Sequence, residues 1–164
     1  MEADYIIVGA GSAGCVLAEK LSAHPNNRVI VVEAGGADSS FWISTPIGYG
    51  RLFYDKAVNW CYTTEPDPSL DGRTSHWPRG RVLGGSSSIN ALVCIRGRAE
   101  DYEDWAAATG DTRWGPDAMA ACFRTLDDND QGANEWRNSG GVFPIHSIKE
   151  ASHPITQNFL DACA

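Results

Sequence analysis

The sequence predicts an α/β fold in which a Rossmann-like βαβ unit opens the chain and long irregular loops and surface helices follow it. Three observations predict this. Two short apolar runs, Asp4-Tyr-Ile-Ile-Val-Gly9 and Arg28-Val-Ile-Val-Val-Glu33, are rich in β-branched residues. Between them, Ser12 to Ala23 carries a helical period. From Ala34 to Pro78, Gly, Pro, Ser, Asp and aromatic residues alternate with no sustained pattern.

Each element has its reason. The two apolar runs are continuous rather than alternating, which is the pattern of strands buried on both faces. In the helix, Val16, Leu17, Ala18 and Leu21 share one broad face, and Pro25 stops it. Strand, helix and strand within about 30 residues make a βαβ unit, almost always right-handed. The irregular stretch holds Trp42, Tyr49, Phe53, Tyr54 and Trp60, too many aromatics for a linker. They read equally as a lid over an access path or as core packing. Further on, Glu100–Thr109, Asp117–Asp128 and Pro154–Ala162 predict helices and Phe143–Ile145 a strand. The chain thus divides into 1–36, the βαβ unit; 37–77, the irregular lid segment; 78–115, a glycine–serine motif with its helix; and 116–164, the start of an interdomain or substrate region.

Gly9-Ala-Gly11-Ser-Ala-Gly14 is a G-x-G-x-x-G fingerprint in the required context, after a strand and opening a helix. Gly9 permits the tight turn, Gly11 lets a pyrophosphate approach the backbone, and Gly14 lets helix and strand pack closely. With Ser12 and Ala13, these residues offer a diphosphate the unpaired N–H groups and about half a positive charge of a helix N-terminus. Glu33 ends the second strand, 19 residues after Gly14. Its carboxylate can accept both hydroxyls of an adenosine ribose, in bonds of about 1.5–3 kcal/mol each. The same charge would repel a 2′-phosphate, which disfavours NADP. The motif does not choose between FAD and NAD. The plunge into an irregular aromatic region after Gly36, where an NAD domain would run into another crossover, favours a flavoprotein.

Composition narrows the partners. A net charge of −8 and a pI near 4.8 argue against a general nucleic-acid binder and against an anionic membrane surface. Arg73, Arg79, Arg81, Arg96 and Arg98 nevertheless gather in one region. Ion pairing is the first reading for them and an anionic ligand the second. Cys15, Cys61, Cys94, Cys122 and Cys163 form no C-x-x-C pair, so neither a metal site nor a disulfide framework is indicated. They read as reduced, buried thiols of a cytoplasmic protein, with peripheral membrane association left open. No apolar run approaches the length of a transmembrane helix, and no signal peptide is apparent.

A second glycine motif is more telling: Gly80-Arg-Val-Leu-Gly84-Gly85-Ser86-Ser87-Ser88-Ile-Asn90. Two glycines and three serines make a poor helix interior and a good ligand-facing turn. Taken with Val32-Glu-Ala-Gly35, Trp77-Pro-Arg-Gly80, Ile95-Arg-Gly97, Asp101-Tyr-Glu-Asp-Trp105 and Trp114-Gly115, the chain resembles the glucose–methanol–choline (GMC) family of FAD-dependent oxidoreductases. The likeness runs from the N-terminus to about Gly141.

The resemblance implies that Gly9, Gly11, Ser12, Ala13 and Gly14 hold the pyrophosphate and that Glu33, with Ala34 beside it, holds the ribose. It implies that Val82 and Gly85 line the cofactor path, and that Asn90, Ala91, Leu92 and Val93 lie against the isoalloxazine ring. Some family members tether the flavin through a His just before this Asn. Here that position is Ile89, so the FAD is expected to be non-covalent. Cys94 stands where relatives often carry an aromatic residue, and packing is its first reading.

In the family, an alcohol gives a proton to a His-based pair and a hydride to the flavin, using residues far towards the C-terminus. His24, His76, His146 and His153 lie in none of those motifs, so no catalytic residue and no metal ligand is assigned. The chain is therefore expected to be the N-terminal piece of a longer protein, inactive alone. The expected activity of the whole is oxidation of an alcohol, choline or hydroxymethyl-aromatic substrate, with oxygen or a carrier as electron acceptor. An NAD-dependent dehydrogenase and a non-catalytic FAD-binding fragment are the alternatives.

Overall fold

The computed structural model describes residues 2–163. The chain forms two compact units, Met1–Val93 and Cys94–Ala164. The division falls inside the 78–115 segment.

The first unit begins with the βαβ arrangement. Strands β1 (Tyr5–Val8) and β2 (Val29–Val32) pair in parallel, Tyr5 opposite Val29 and Val8 opposite Val32. Helix α1 (Ser12–Ser22) makes the crossover. Asp4 fastens the strand starts, its carboxylate accepting the Arg28 N–H at 2.7 Å. The α/β class and both strands follow the sequence pattern.

Burial does not. The strands are expected to be covered on both faces, yet Ile7 alone is buried, while Ile6 is 66% and Val8 86% exposed. Helix α1 likewise buries none of its residues. The reason is geometric. A parallel two-stranded sheet has two faces and two edges, and α1 covers one face.

The core of this unit lies instead where the stretch that is irregular in sequence meets the second glycine motif. The irregular stretch contains two single-turn helices, α2 (Phe41–Ser44) and α3 (Tyr49–Leu52), and an antiparallel pair, β3 (Tyr62–Thr63) with β4 (His76–Trp77). Leu52, Val82 and Ile89 form the buried cluster, with Trp42, Ile43 and Val58 packed around it. Tyr54 is 71% exposed, whereas Phe53 is half-buried against Tyr49. The five aromatics therefore split between core edge and surface.

In the second unit, helices α4 (Ala99–Thr109) and α5 (Pro116–Leu126) pack through Tyr102 and Phe123. Asp101 caps α4 by accepting the Arg98 N–H at 2.8 Å, and Gly110 ends it at φ +69°. Strand β5 (Asp127–Asn129) runs parallel to β6 (Phe143–Ile145), and α6 (Ile155–Cys163) follows. The sequence extends α5 to Asp128, but the helix stops at Leu126. Asp127 turns extended, and its carboxylate is buried against the Arg96 guanidinium. A buried charge must be paired, and that requirement outweighs one more helical residue.

The thiols also depart from expectation. Cys15, Cys94, Cys122 and Cys163 are exposed and Cys61 is half-buried, so they are not buried hydrophobes. Among the described residues no helix is long and apolar enough to cross a membrane.

Candidate cofactor site

The site is assembled at the C-terminal end of β1. Gly9 takes φ +95°, a left-handed value that favours glycine, and donates its N–H to the Val32 carbonyl at 2.7 Å. This turns the chain sharply from β1 into α1. Gly14 sits where a Cβ would stand 2.0 Å from the Gly9 carbonyl oxygen, so helix and turn touch without a side chain between them. At Gly11 the opposite holds, since a Cβ there would meet nothing within 4 Å. The backbone at Gly11 faces open space.

The helix end behind it is uncapped. Gly11 is the N-cap residue in extended conformation, no side chain accepts from the first turn, and no acid lies in that turn. The leading amides of an α-helix have no intrahelical acceptor. An anion at this point meets amides and dipole without competition.

Glu33 points to this turn. One carboxylate oxygen accepts the Ala10 N–H at 2.7 Å and the other the Gly35 N–H at 2.9 Å. These bonds, that from Ala10 foremost, hold the carboxyl below the usual glutamate range. A carboxylate has about four acceptor positions, so capacity remains on both oxygens for hydroxyl donors.

The second glycine motif closes onto the first. Gly84 donates to the Ala10 carbonyl at 2.8 Å, and Leu83 donates to the Gly36 carbonyl at 2.9 Å. Gly85 has φ +59°, and a Cβ on it would stand 2.9 Å from the Gly11 Cα. Arg81 lies so close to Gly35 that a Cβ there would fall 2.1 Å from its carbonyl carbon. The structure thus joins Gly9, Gly11, Ser12, Ala13, Gly14, Glu33, Ala34, Val82 and Gly85 in one neighbourhood.

The members do not all present side chains. Val82 is fully buried, main chain included, so it supports the turn from beneath and presents no surface of its own. Ile89 is buried beside it. Asn90, Ala91, Leu92 and Val93 form an exposed segment without regular structure. The Asn90 side-chain oxygen accepts the Leu92 N–H at 2.8 Å, and Leu92 holds φ +59°. Among the described residues no hydrogen bond ties these four to the glycine turn.

The clustered arginines are engaged. Arg96 pairs with Asp127 and Arg98 with Glu100. Arg79 lies over Trp77 and Arg81 over Trp60 at 4.9 and 5.2 Å. Arg73 donates to the Leu70 carbonyl. A separate cavity of about 540 Å³ in the second unit is lined by Tyr102, Phe123, Trp136 and Ile145 with the Arg96–Asp127 pair on its wall. Arg96 and Asp127 pair with each other within the wall. Among the described residues no group of acids, histidines and cysteines has the arrangement of a metal site.

One residue escapes sequence reasoning altogether. Asn59 is 2% exposed, and its amide makes four hydrogen bonds, to Leu52, Phe53, Cys61 and Arg79. The available signal is a lone amide within the aromatic run Val58-Asn-Trp-Cys-Tyr62. A polar group in an apolar run, if buried, must be bonded.

Comparison with known proteins agrees with this geometry. Residues 3–164 match the family model described as GMC oxidoreductase. An alcohol dehydrogenase (acceptor) of Pseudomonas putida is 44% identical over 97% of this chain and 29% of its own length. The mitochondrial choline dehydrogenase of Mus musculus is 44% identical over 98% of this chain and 28% of its own. Among solved structures, pyridoxine 4-oxidase from Mesorbium loti superposes with a TM-score of 0.91 at 37% identity, over 98% of this chain and 31% of that one. A formate oxidase of Aspergillus oryzae, whose structure concerns FAD modification, gives 0.82 at 29% identity over 98% and 30%. The chain spans under a third of the length of these relatives. With the family model spanning all but two of its residues and the glycine turn built as described, this chain belongs to the GMC oxidoreductase family.

Proposed function

We propose that this chain supplies the dinucleotide-holding part of an FAD-dependent oxidoreductase that oxidises a CH–OH group to a carbonyl. The observation that carries the reading is Glu33, fixed by the Ala10 and Gly35 N–H groups beside the open backbone of Gly11. Gly11, Ser12, Ala13 and Gly14 hold the diphosphate at the start of α1, and Glu33 accepts the ribose hydroxyls. The cofactor, when bound, supplies a hydride acceptor. The docking of Gly84 and Gly85 on this turn favours FAD over NAD, because a simple NAD-binding unit gives the second motif no task.

Asn90, Ala91, Leu92 and Val93 face the flavin ring. Leu92 and Val93 support this by exposing apolar side chains, 65% and 71%, on a segment held open by the Asn90–Leu92 bond. Ile89 offers no nucleophile, so the flavin is non-covalent. Substrates are small alcohols, among them choline-like and hydroxymethyl-aromatic compounds, in keeping with what the relatives' names say of those proteins. Five free thiols suit a reducing compartment, the cytoplasm.

The test is spectroscopic. The whole protein carrying this chain, purified, should show bound flavin, released by denaturation without covalent residue, and alcohol should bleach it anaerobically. A colourless protein whose alcohol oxidation requires added NAD would overturn the reading.

A further inference from the structure

The four bonds of Asn59 use the entire capacity of a side-chain amide. The two Nδ2 hydrogens go to the Leu52 and Phe53 carbonyls at 3.1 and 2.9 Å, and Oδ1 accepts the Cys61 and Arg79 N–H groups at 2.8 and 2.9 Å. No other natural side chain offers two donors and two acceptors at this reach. Asp lacks the donors, Ser has one, and Gln is a methylene longer.

The placement of these bonds matters. On one side they grip the end of α3, whose Leu52 is in the core. On the other they grip Arg79, the first residue of the segment that closes over the glycine turn. From there a chain of backbone contacts runs to the cofactor site. Trp60 donates to the Arg79 carbonyl at 2.9 Å, Arg81 to the Val58 carbonyl at 2.7 Å, Leu83 to Gly36 and Gly84 to Ala10, until Gly85 rests on Gly11. The segment 79–85 is thus clamped between Asn59 and the turn that receives the diphosphate. Three of its seven residues are glycine, and Val82 is the one side chain of the seven that is buried in the core. The Asn59 bonds at one end therefore act together with that single apolar contact to fix its depth.

We propose that Asn59 is a positioning residue for the cofactor: by anchoring Arg79 to α3 it sets how closely Gly84 and Gly85 approach Gly11, and so the fit of the diphosphate site, without touching the cofactor. This rests on the reading of that site as an FAD site. The approach is tight enough to be sensitive, since the Gly85–Gly11 gap has no room for a methyl group. Loss of the anchor leaves β1, α1 and β2 intact and lets the segment drift.

The experiment uses the whole protein with Asn59→Asp, which keeps the acceptors but turns an oxygen towards two carbonyls, and Asn59→Ser as a milder second variant. FAD affinity is measured by flavin fluorescence titration, and local opening by amide hydrogen exchange. The expected result is a loss of FAD affinity of tenfold or more for Asn59→Asp and a smaller loss for Asn59→Ser. Exchange protection should fall at Cys61, Arg79 and Gly84 and stay unchanged at Ile7, Cys15 and Val31. A double-mutant cycle adds a readout that general destabilisation does not move. Asn59→Asp and Gly85→Ala should be non-additive in FAD affinity, because both act through one segment. Affinity within twofold of wild type, protection lost across β1 and β2 in both variants, or additivity with Gly85→Ala would each overturn the proposal. Failure of the underlying reading is distinguishable, because the wild-type protein itself would then take up no flavin.

Discussion

The βαβ unit and the segment from Phe41 to Ile89 exchange the roles their sequences suggest. The βαβ unit is written in valine and isoleucine and has the pattern of core, yet its strands and helix are largely exposed. What defines its glycine turn is hydrogen bonding: Gly9 to Val32, and Glu33 to Ala10 and Gly35. The Phe41–Ile89 segment has the pattern of loop, yet it buries Leu52, Val82, Ile89 and Asn59. Within residues 2–163 the glycine turn is specified by backbone bonds, and the packing lies in the neighbouring segment that leans on it.

The comparison can be broken most directly at Leu52. Leu52→Ala in the 164-residue chain should cost about 2–5 kcal/mol in denaturant unfolding, as a buried leucine does. Ile6→Ala, at a site 66% exposed, should cost well under half as much. Equal costs would show that the strands, not the irregular segment, hold this unit together. Next in size is Gly14→Ala, whose methyl group would stand 2.0 Å from the Gly9 carbonyl oxygen. Overpacking of this kind costs about 1–3 kcal/mol and should abolish flavin uptake as well.

Gly11→Ala sharpens the contrast between turn and core. Its methyl group meets no protein atom within 4 Å, so the melting temperature should stay within a degree or two of wild type. Flavin affinity should fall about tenfold or more, equivalent to about 1.4 kcal/mol. A loss of stability with affinity retained would mean that the open space at Gly11 is not where the ligand lies.

The smallest expected effect is a pH dependence confined to one region. Glu33 is held below the usual glutamate range chiefly by the Ala10 N–H. A folded-state pKa that is depressed contributes stability above the unfolded pKa, and that contribution disappears as pH falls through the folded value. Hydrogen-exchange protection at Ala10 should therefore decline in acid, below the ordinary range near about 4.3. Protection at Cys61 and Arg79 should not follow it, because the Asn59 amide that holds them does not titrate. In Glu33→Gln the acid decline at Ala10 should vanish.

Much of the fold was legible because it is local. β-branched runs, the proline after α1 and the glycine spacing each act within a few residues, and the structure has those elements within a residue or two of the expected bounds. Helix α4 and strand β6 were legible for the same reason. What was not legible depends on partners remote in sequence. Asn59 finds Arg79 twenty residues on. Asp127 ends α5 because Arg96 waits thirty-one residues back. Val82 reads as a ligand-path residue from its motif, but its side chain turns inward to Leu52. The chemical identity of the site residues was visible; which of their atoms face outward was not.

The burial of Ile89 bears on what a substitution at that position would do. The resemblance that frames the chain places a tethering histidine of some members at this very position. Here it is 2% exposed, wedged beside Leu52 and Val82. Putting an imidazole there in one step would strand two ring nitrogens among hydrocarbon, a change that costs about 1–3 kcal/mol for a polar group without a partner. An Ile89→His substitution alone should therefore cost stability unless the surrounding nest is opened or given a partner for the ring.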